Sequence, residues 1–260
     1  MDAAMPDPAG APAATKAAKA AKATKATTVA RKVAVRTQRR RWQRRTDSWE
    51  DHAVAGLEPV IEAVLAESGD SARGVVLDVG AGGGALAVPV ASTAQRVIAL
   101  DVSDRMLDRL AGRAEEEGLH NVEPVNRPIE ELDLRPGSLD LIVSNYALHH
   151  LLDQDKSRFV HRAAAWLRPG GRLVIGDMMI GRGRSPDDRR ILADKARIMM
   201  ARGPAGWWRI VKNAWRLMTR TVERPMPMES WVRLLEDAGF VDVCGRRVVA
   251  EAAVVSGRRR

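Results

Sequence analysis

The chain has 260 residues and 45% of them are apolar, so it can enclose a hydrophobic core without disulfide or metal support. Its single cysteine, Cys244, excludes an internal disulfide and a cysteine-based metal cluster, and we predict no metal site. No apolar run reaches the ~18 residues of a membrane span and no secretory signal is recognisable, so we expect a cytoplasmic protein.

The net charge of +9 is concentrated at the amino terminus. Residues 1–45 contain 12 basic and two acidic side chains, which leaves 30 basic and 31 acidic side chains in the remainder. Residues 1–38 are rich in Ala and Lys and predict a disordered tail. Such a tail either makes weak nonspecific contacts with nucleic acid or another anionic surface, or is a solubilising extension or a misassigned start.

Two helices are predicted over residues 39–70. Trp42 and Trp49 are seven residues apart, so they share one face of the first helix and can pack on the edge of the domain. The second helix is predicted over residues 54–67 and ends near Gly69. These helices lead into the first strand.

The central motif of the chain reads VVLDVGAGGGALAV over residues 75–88. Its apolar start predicts a strand buried on both faces, and its glycines predict a sharp turn where a ligand lies against the main chain. A second apolar run, RVIALD, ends in Asp101, 21 residues after Gly80. In doubly wound folds an acidic residue at this distance binds ribose hydroxyls.

Two interpretations of this motif compete. The spacing Gly80-x-Gly82-x-x-Ala85 satisfies the fingerprint of dinucleotide-binding proteins. Asp78, however, lies two residues before the first glycine, where its carboxylate repels a pyrophosphate and attracts a ligand with a cationic end.

Asp78, Gly80, Gly82 and Gly84 resemble the first motif of the class I S-adenosylmethionine-dependent methyltransferases. The turn RPGG at 168–171 and the segment WVRLLEDAGF at 231–240 are similar to the same family, in its small-molecule, ubiquinone- and menaquinone-biosynthesis-like type. The resemblance implies an α/β, Rossmann-like fold. Its seven-stranded sheet is mostly parallel with the last strand antiparallel, and helices cover both faces.

The remaining pattern predicts further elements in chain order. The first are a helix over 85–94 distorted by Pro89, a helix that begins after Ser103 and ends at Gly118, and a strand over 122–125. A fourth strand ends at Asn145 and leads directly into a helix. A turn at 168–171 precedes the fifth strand, and a helix over 229–239 precedes two closing strands.

The resemblance also implies which residues bind S-adenosylmethionine. They are Asp78, Gly80, Ala81, Gly82, Asp101, Val102, Met106, Ile129 and Asn145. Asp101 is expected to hold the ribose, and Met106 to pack on the adenine. Where the family has Asp-Ala after the third strand this chain has Pro128-Ile129, which leaves only the Ile129 N–H to meet the adenine.

Tyr146, His149 and His150 are the candidate catalytic residues. Adjacent residues on a helix point about 100° apart, so at most one histidine can face the pocket. Methyl transfer from a sulfonium is an SN2 displacement in which alignment of the nucleophile contributes most, so a catalytic base is optional.

Residues 178–228 are predicted to form a helical insertion after the fifth strand. One helix begins at Ser185, and a second contains Trp207, Trp208 and Trp215 among many basic residues. The family resemblance implies a cap over the substrate opening, and the alternative is a surface that rests on a membrane. The family resemblance also implies that the first amino-terminal helix closes over the cofactor, with Trp49 and His52 facing the cofactor.

The sequence therefore predicts a methyltransferase that acts on a small, partly apolar acceptor. One alternative is a nucleic-acid methyltransferase recruited by the tail, although the Asn-Pro-Pro-aromatic motif is replaced here by SNYA at 144–147. The other alternative is a module that binds S-adenosyl ligands without catalysis.

Overall fold

The computed structural model describes residues 58–181, 189–190, 193, 197 and 224–260, which all belong to one unit, residues 46–260. Several predicted features lie outside the described residues: the tail, the first helix, the start of the insertion at Ser185, and its tryptophans Trp207, Trp208 and Trp215. Within the middle of the predicted insertion, the described residues are helical: Arg189, Arg190, Ala193 and Arg197.

The described residues form one seven-stranded sheet in the order β3-β2-β1-β4-β5-β7-β6. Its strands are β1 (Val75–Val79), β2 (Arg96–Asp101), β3 (Val122–Asn126), β4 (Leu139–Asn145), β5 (Leu167–Met178), β6 (Phe240–Val249) and β7 (Ala252–Arg259). Strands β1 to β5 pair in parallel, and β7 pairs antiparallel with both β5 and β6. The predicted fold class is confirmed.

Helices cover both faces of the sheet. They are α1 (58–68), α2 (Ala87–Ala91), α3 (Asp104–Glu116), α4 (Asp153–Trp166) and α5 (Met228–Asp237), with 3₁₀ turns at Gly69–Arg73, Ile129–Glu131 and Leu148–His150. One core cluster contains Trp166 of α4 and Trp231 of α5, and the other contains Val64 of α1 and Leu110 of α3. Because helices bury both faces, the central strands are apolar along almost their whole length.

Three local predictions differ from the structure. α2 spans only Ala87–Ala91 of the predicted 85–94, and residues 85–86 belong to the turn in which Gly82 and Gly84 have φ of 52° and 89°. The predicted turn at 168–171 lies inside β5, whose pairing with β4 is irregular between Leu139 and Leu141. Ser103 is the N-cap residue of α3, but its hydroxyl makes no capping hydrogen bond.

The fourth difference concerns the histidines. The chain does not pass from β4 directly into a helix, because His149 and His150 lie in the 3₁₀ turn Leu148–His150 and α4 begins at Asp153. Successive residues in a 3₁₀ turn are about 120° apart, and the two imidazole rings are in contact, with centroids 4.0 Å apart.

None of the helices in the described part of the chain combines the length and apolar character that a membrane crossing requires. The parallel strands β1, β2, β4 and β5 end at the same edge of the sheet, and open α/β sheets bind ligands at such carboxyl ends.

Candidate active site

The glycine loop after β1 is fixed to the end of β2 by main-chain hydrogen bonds. The amides of Gly80 and Ala81 both donate to the Leu100 carbonyl, at 2.8 and 3.0 Å. Gly80 has a φ of 77°, and a Cβ built on it would lie 2.3 Å from the Ala147 Cβ. Only glycine fits there, because the loop is both left-handed and in contact with the chain beyond β4.

Asp78 carries a buried carboxylate at the end of β1. The side chain is 1% exposed, and its Oδ2 has no hydrogen-bond partner among the described residues. Burial, followed by the nearby charge of Asp101, raises the pKa of Asp78 to about 7, and the Ala87 amide offsets part of this rise. A carboxylate kept in this state fits a ligand that brings positive charge or N–H donors.

Asn145 provides a second acceptor at the end of β4. Its Oδ1 is buried without a partner among the described residues. Asp78 pairs with Val143, so Asn145, two residues further along, projects to the same face of the sheet as Asp78. The two unpaired oxygens therefore lie on adjacent strands at the same edge.

Asp101 ends β2, and its two oxygens are oriented by main-chain donors. Oδ2 accepts from the Gly82 amide at 3.0 Å, and Oδ1 accepts from the Ser103 amide at 2.8 Å. Burial raises the pKa of Asp101, and the amides of Ser103, Gly82 and Val102 counteract this rise. Each carboxylate oxygen has a second lone pair, so the ribose contact predicted for Asp101 is compatible with these bonds.

The apolar residues predicted to bind the cofactor do not form one cluster. Met106 is buried in the first turn of α3, and its Cε is 3.2 Å from the position of a Cβ on Gly82. Ile129 lies in the core cluster that contains Trp166, and Ala81 lies in the other cluster. Val102 follows Asp101 and is half-buried. The structure therefore joins Gly82, Asp101 and Met106 directly, whereas no such contact joins Ile129 to them.

Tyr146, the residue after β4, adopts a left-handed conformation with a φ of 49°. Its amide donates to the Gly176 carbonyl at 2.9 Å. Burial raises the pKa of Tyr146, and the charges of Glu251 and Asp177 raise it further. Tyr146 is therefore a neutral side chain next to two carboxylates, and not a base near neutral pH.

Asp177, which is not among the site residues predicted from the sequence, lies against His149 in the structure. Asp177 Oδ1 is 2.5 Å from His149 Nδ1, and Oδ2 accepts from the His149 amide at 2.8 Å. The Met178 amide donates to Oδ1 as well. Because Asp177 accepts at Nδ1, it favours the tautomer with the proton on Nδ1 and the lone pair on Nε2.

A signal for Asp177 was present in the sequence. It follows an apolar run in VIGDM, at the carboxyl end of β5, just as Asp78 follows an apolar run in β1. The pattern that predicts site residues at the ends of β1, β2 and β4, a polar residue after a buried strand, also applies to Asp177 in β5.

Comparison with known proteins identifies the same region. Residues 76–171 match the family model described as "Methyltransferase domain". The methyltransferase YcgJ of Bacillus subtilis, which has no assigned substrate in its name, is 26% identical over 168 residues, or 61% of this chain and 64% of its own length. Phosphoethanolamine N-methyltransferase 1 of Triticum aestivum is 32% identical over 43% of this chain and 23% of its own length. The chain thus spans less than two thirds of these curated relatives.

Solved structures share the fold. The complex of DhpI with S-adenosylhomocysteine has a TM-score of 0.62 and 19% identity, and the match covers 86% of this chain and 96% of that one. The 1,6-didemethyltoxoflavin-N1-methyltransferase of Burkholderia thailandensis has a TM-score of 0.57 and 22% identity, and the match covers 100% and 93%. The matched domain, the strand order and the acidic, glycine-rich edge agree: residues 76–171 match a methyltransferase domain, and the chain is similar to the class I methyltransferases, which use S-adenosylmethionine as methyl donor.

Proposed function

We propose that this protein transfers a methyl group from S-adenosylmethionine to a small, partly apolar acceptor. The observation that carries the proposal is the pair of buried oxygens on Asp78 and Asn145, beside the glycine loop, that have no partner in the described part of the chain. A ligand with an ammonium group satisfies both acceptors, whereas a pyrophosphate would be repelled by Asp78. When bound, S-adenosylmethionine supplies a sulfonium methyl group that is already open to SN2 displacement.

The residues of the chain divide the work of binding and orientation. Asp78 and Asn145 would hold the ammonium end, Asp101 the ribose, and Met106, Val102 and the Ile129 amide the adenine. The main chain of Gly80, Ala81 and Gly82 would follow the ligand closely.

The acceptor would lie near Tyr146 and His149, beyond the ends of β4 and β5. His149 is the candidate proton acceptor there, because Asp177 orients its ring. His150 contacts the His149 ring and is assigned to lining the site. Positioning of the acceptor contributes most of the reduction in activation free energy, which is on the order of 7–11 kcal/mol in well-oriented systems.

The names of similar proteins support a small acceptor. The toxoflavin enzyme and the phosphoethanolamine enzyme are both named for small molecules. The narrower ubiquinone- and menaquinone-like type, the cap function of the insertion, the weak anionic contacts of the tail and the location in the cytoplasm remain predictions from the sequence.

Calorimetric titration tests the proposal, with S-adenosylmethionine, S-adenosylhomocysteine and NAD as ligands. We expect both S-adenosyl ligands to bind and NAD to give no heat of binding. Release of S-adenosylhomocysteine during incubation with a panel of small acceptors would show turnover. Tight binding of NAD alone would refute the assignment. Turnover with nucleic acid alone would favour the nucleic-acid methyltransferase. Binding of the S-adenosyl ligands without turnover of any acceptor would favour the non-catalytic module.

A further inference from the structure

Lys156 is a buried cation that the proposed function does not use. It lies on α4 and is 0% exposed, among the largest fully buried side chains of the described residues. Lysine is almost never fully buried unless its ammonium group is paired, and an apolar residue of similar volume is often as stable at such a position. The charge at Lys156 therefore requires an explanation other than packing.

The ammonium group of Lys156 holds a main-chain segment near the site. Nζ donates to the Arg224 carbonyl and to Asp153 Oδ1, the latter at 3.2 Å. Asp153 is 47% exposed, so this ion pair is partly screened by solvent and is a weak reason for burying a lysine. The ammonium group also contacts the part-buried Arg224 carbonyl, which belongs to a distant segment of the chain.

The main chain of Arg224 also binds the 3₁₀ turn Leu148–His150, which contains His149. Its amide donates to the His149 carbonyl at 2.7 Å, so both polar groups of the Arg224 main chain are engaged. The next hydrogen bonds run from the His149 amide and ring to Asp177. One continuous series of contacts thus joins Lys156 to Arg224, then His149, then Asp177.

We propose that Lys156 is a positioning residue for His149, acting through the main chain of Arg224. Without the ammonium group, the Arg224 carbonyl loses its Lys156 donor, and the main-chain segment that donates to the His149 carbonyl is held less firmly. On this proposal, the 2.5 Å contact between His149 Nδ1 and Asp177 Oδ1 weakens when residue 224 is released. The proposal rests on the proposed function, because the orientation of His149 matters only beside an acceptor.

Nuclear magnetic resonance of ¹⁵N-histidine-labelled full-length protein tests the proposal without knowledge of the acceptor. The ring of His149 is assigned among the five histidines by its loss in His149→Gln. In the parent protein we expect a downfield Nδ1–H signal from the short bond to Asp177. In Lys156→Met we expect this signal to be lost or moved upfield, while the thermal midpoint stays close to the parent value.

The matched control is Arg158→Met, which removes a cation two residues away on α4 that pairs with Asp155 and is 53% exposed. It should leave the His149 signal unchanged. Lys156→Gln, which retains a donor for the Arg224 carbonyl, should restore the signal in part. An unaltered signal in Lys156→Met would overturn the proposal.

If Lys156→Met does not fold, hydrogen exchange of the parent protein tests the proposal instead. The Arg224 amide must then exchange as slowly as amides of the core strands, and fast exchange would overturn the proposal. Binding of S-adenosylhomocysteine is measured on the same samples. Failure of the parent to bind it would refute the proposed function, whereas a normal affinity with an unchanged His149 signal refutes only the role of Lys156.

Discussion

Asp78 and Asp101 show how one environment gives two carboxylates different uses. Both are buried at the ends of neighbouring strands, and burial raises the pKa of each. Asp101 accepts two main-chain hydrogen bonds in fixed positions, whereas Oδ2 of Asp78 has no partner among the described residues. We infer that Asp101 supplies shape and hydrogen bonds, and that Asp78 supplies a charge that the ligand itself stabilises.

The first prediction concerns pH. The pKa of Asp78 is about 7 in the folded protein, against an ordinary value of 3.8 for an aspartate in the unfolded chain, so the native state binds more protons than the unfolded state between these values. The contribution of Asp78 to the free energy of unfolding of the ligand-free protein should therefore be greatest below pH ~4 and decline as the pH rises towards ~7. Affinity for S-adenosylmethionine should instead rise over the upper part of this range, because the ammonium group needs the ionised carboxylate.

Urea unfolding and calorimetry at several pH values measure both trends. Asp78→Asn should flatten the dependence of stability on pH and weaken binding of S-adenosylmethionine. The heat of binding near pH 7 should vary with the ionisation enthalpy of the buffer, because a proton is released. No such variation would show that Asp78 is already ionised without ligand.

The second prediction concerns Asp101. If its carboxylate holds the ribose hydroxyls, each hydrogen bond contributes about 1.5–3 kcal/mol, and Asp101→Ala should weaken cofactor binding at least about tenfold. Because the Gly82 and Ser103 amides also lose an acceptor, a modest loss of stability should accompany it. Asp108→Ala, an exposed change on α3, is the control. An unchanged dissociation constant would mean that another residue binds the ribose.

At the scale of elements, buried strands and their ends were predictable, whereas contacts between distant elements were not. The sequence predicts the strands β1, β2 and β4 from their apolar runs, and site residues from the polar residues that end them. Both signals are local in sequence. His149 and Asp177 are 28 residues apart, and their contact depends on the parallel pairing of β4 with β5. The α-helical prediction for the histidines was wrong because short 3₁₀ turns have no periodic signal.

The third prediction compares two glycines. Gly80→Ala should destabilise the protein by about 2 kcal/mol or more, because φ is 77° and the new Cβ would meet Ala147. Gly112 lies within α3 and has no heavy atom near a new Cβ, so Gly112→Ala should stabilise the protein by about 1 kcal/mol. Urea unfolding of both variants measures the difference. Equal stabilities would show that the loop can move away from Ala147.

At the scale of the whole molecule, the positive charge and the catalytic fold are separate in sequence. Residues 1–45 carry the excess of basic side chains, and the matched methyltransferase domain covers residues 76–171. The predicted insertion, with its tryptophans, interrupts the chain between β5 and α5. The sequence predicts these divisions from composition, but it does not predict which surfaces the added segments contact.

The fourth prediction tests this separation. Deletion of residues 1–38 should leave the thermal midpoint and the affinity for S-adenosylhomocysteine unchanged, and should abolish any salt-sensitive binding to nucleic acid. Differential scanning calorimetry and fluorescence anisotropy with a labelled duplex measure these quantities. A protein that no longer folds after the deletion would contradict the predicted disorder of the tail.

The position of β7 has a consequence for synthesis of the protein. β7 is made after the other six strands of the described sheet, yet it lies between β5 and β6 and pairs with both. During translation, the edge of β5 that pairs with residues 252–259 therefore stays open on the nascent chain, next to Asp177. Parallel pairing of β1 to β5 can precede this step, but closure of this edge of β5 must wait until residues 252–259 have been made. A premature stop codon before residue 252 would thus leave a complete glycine motif on an open, aggregation-prone sheet.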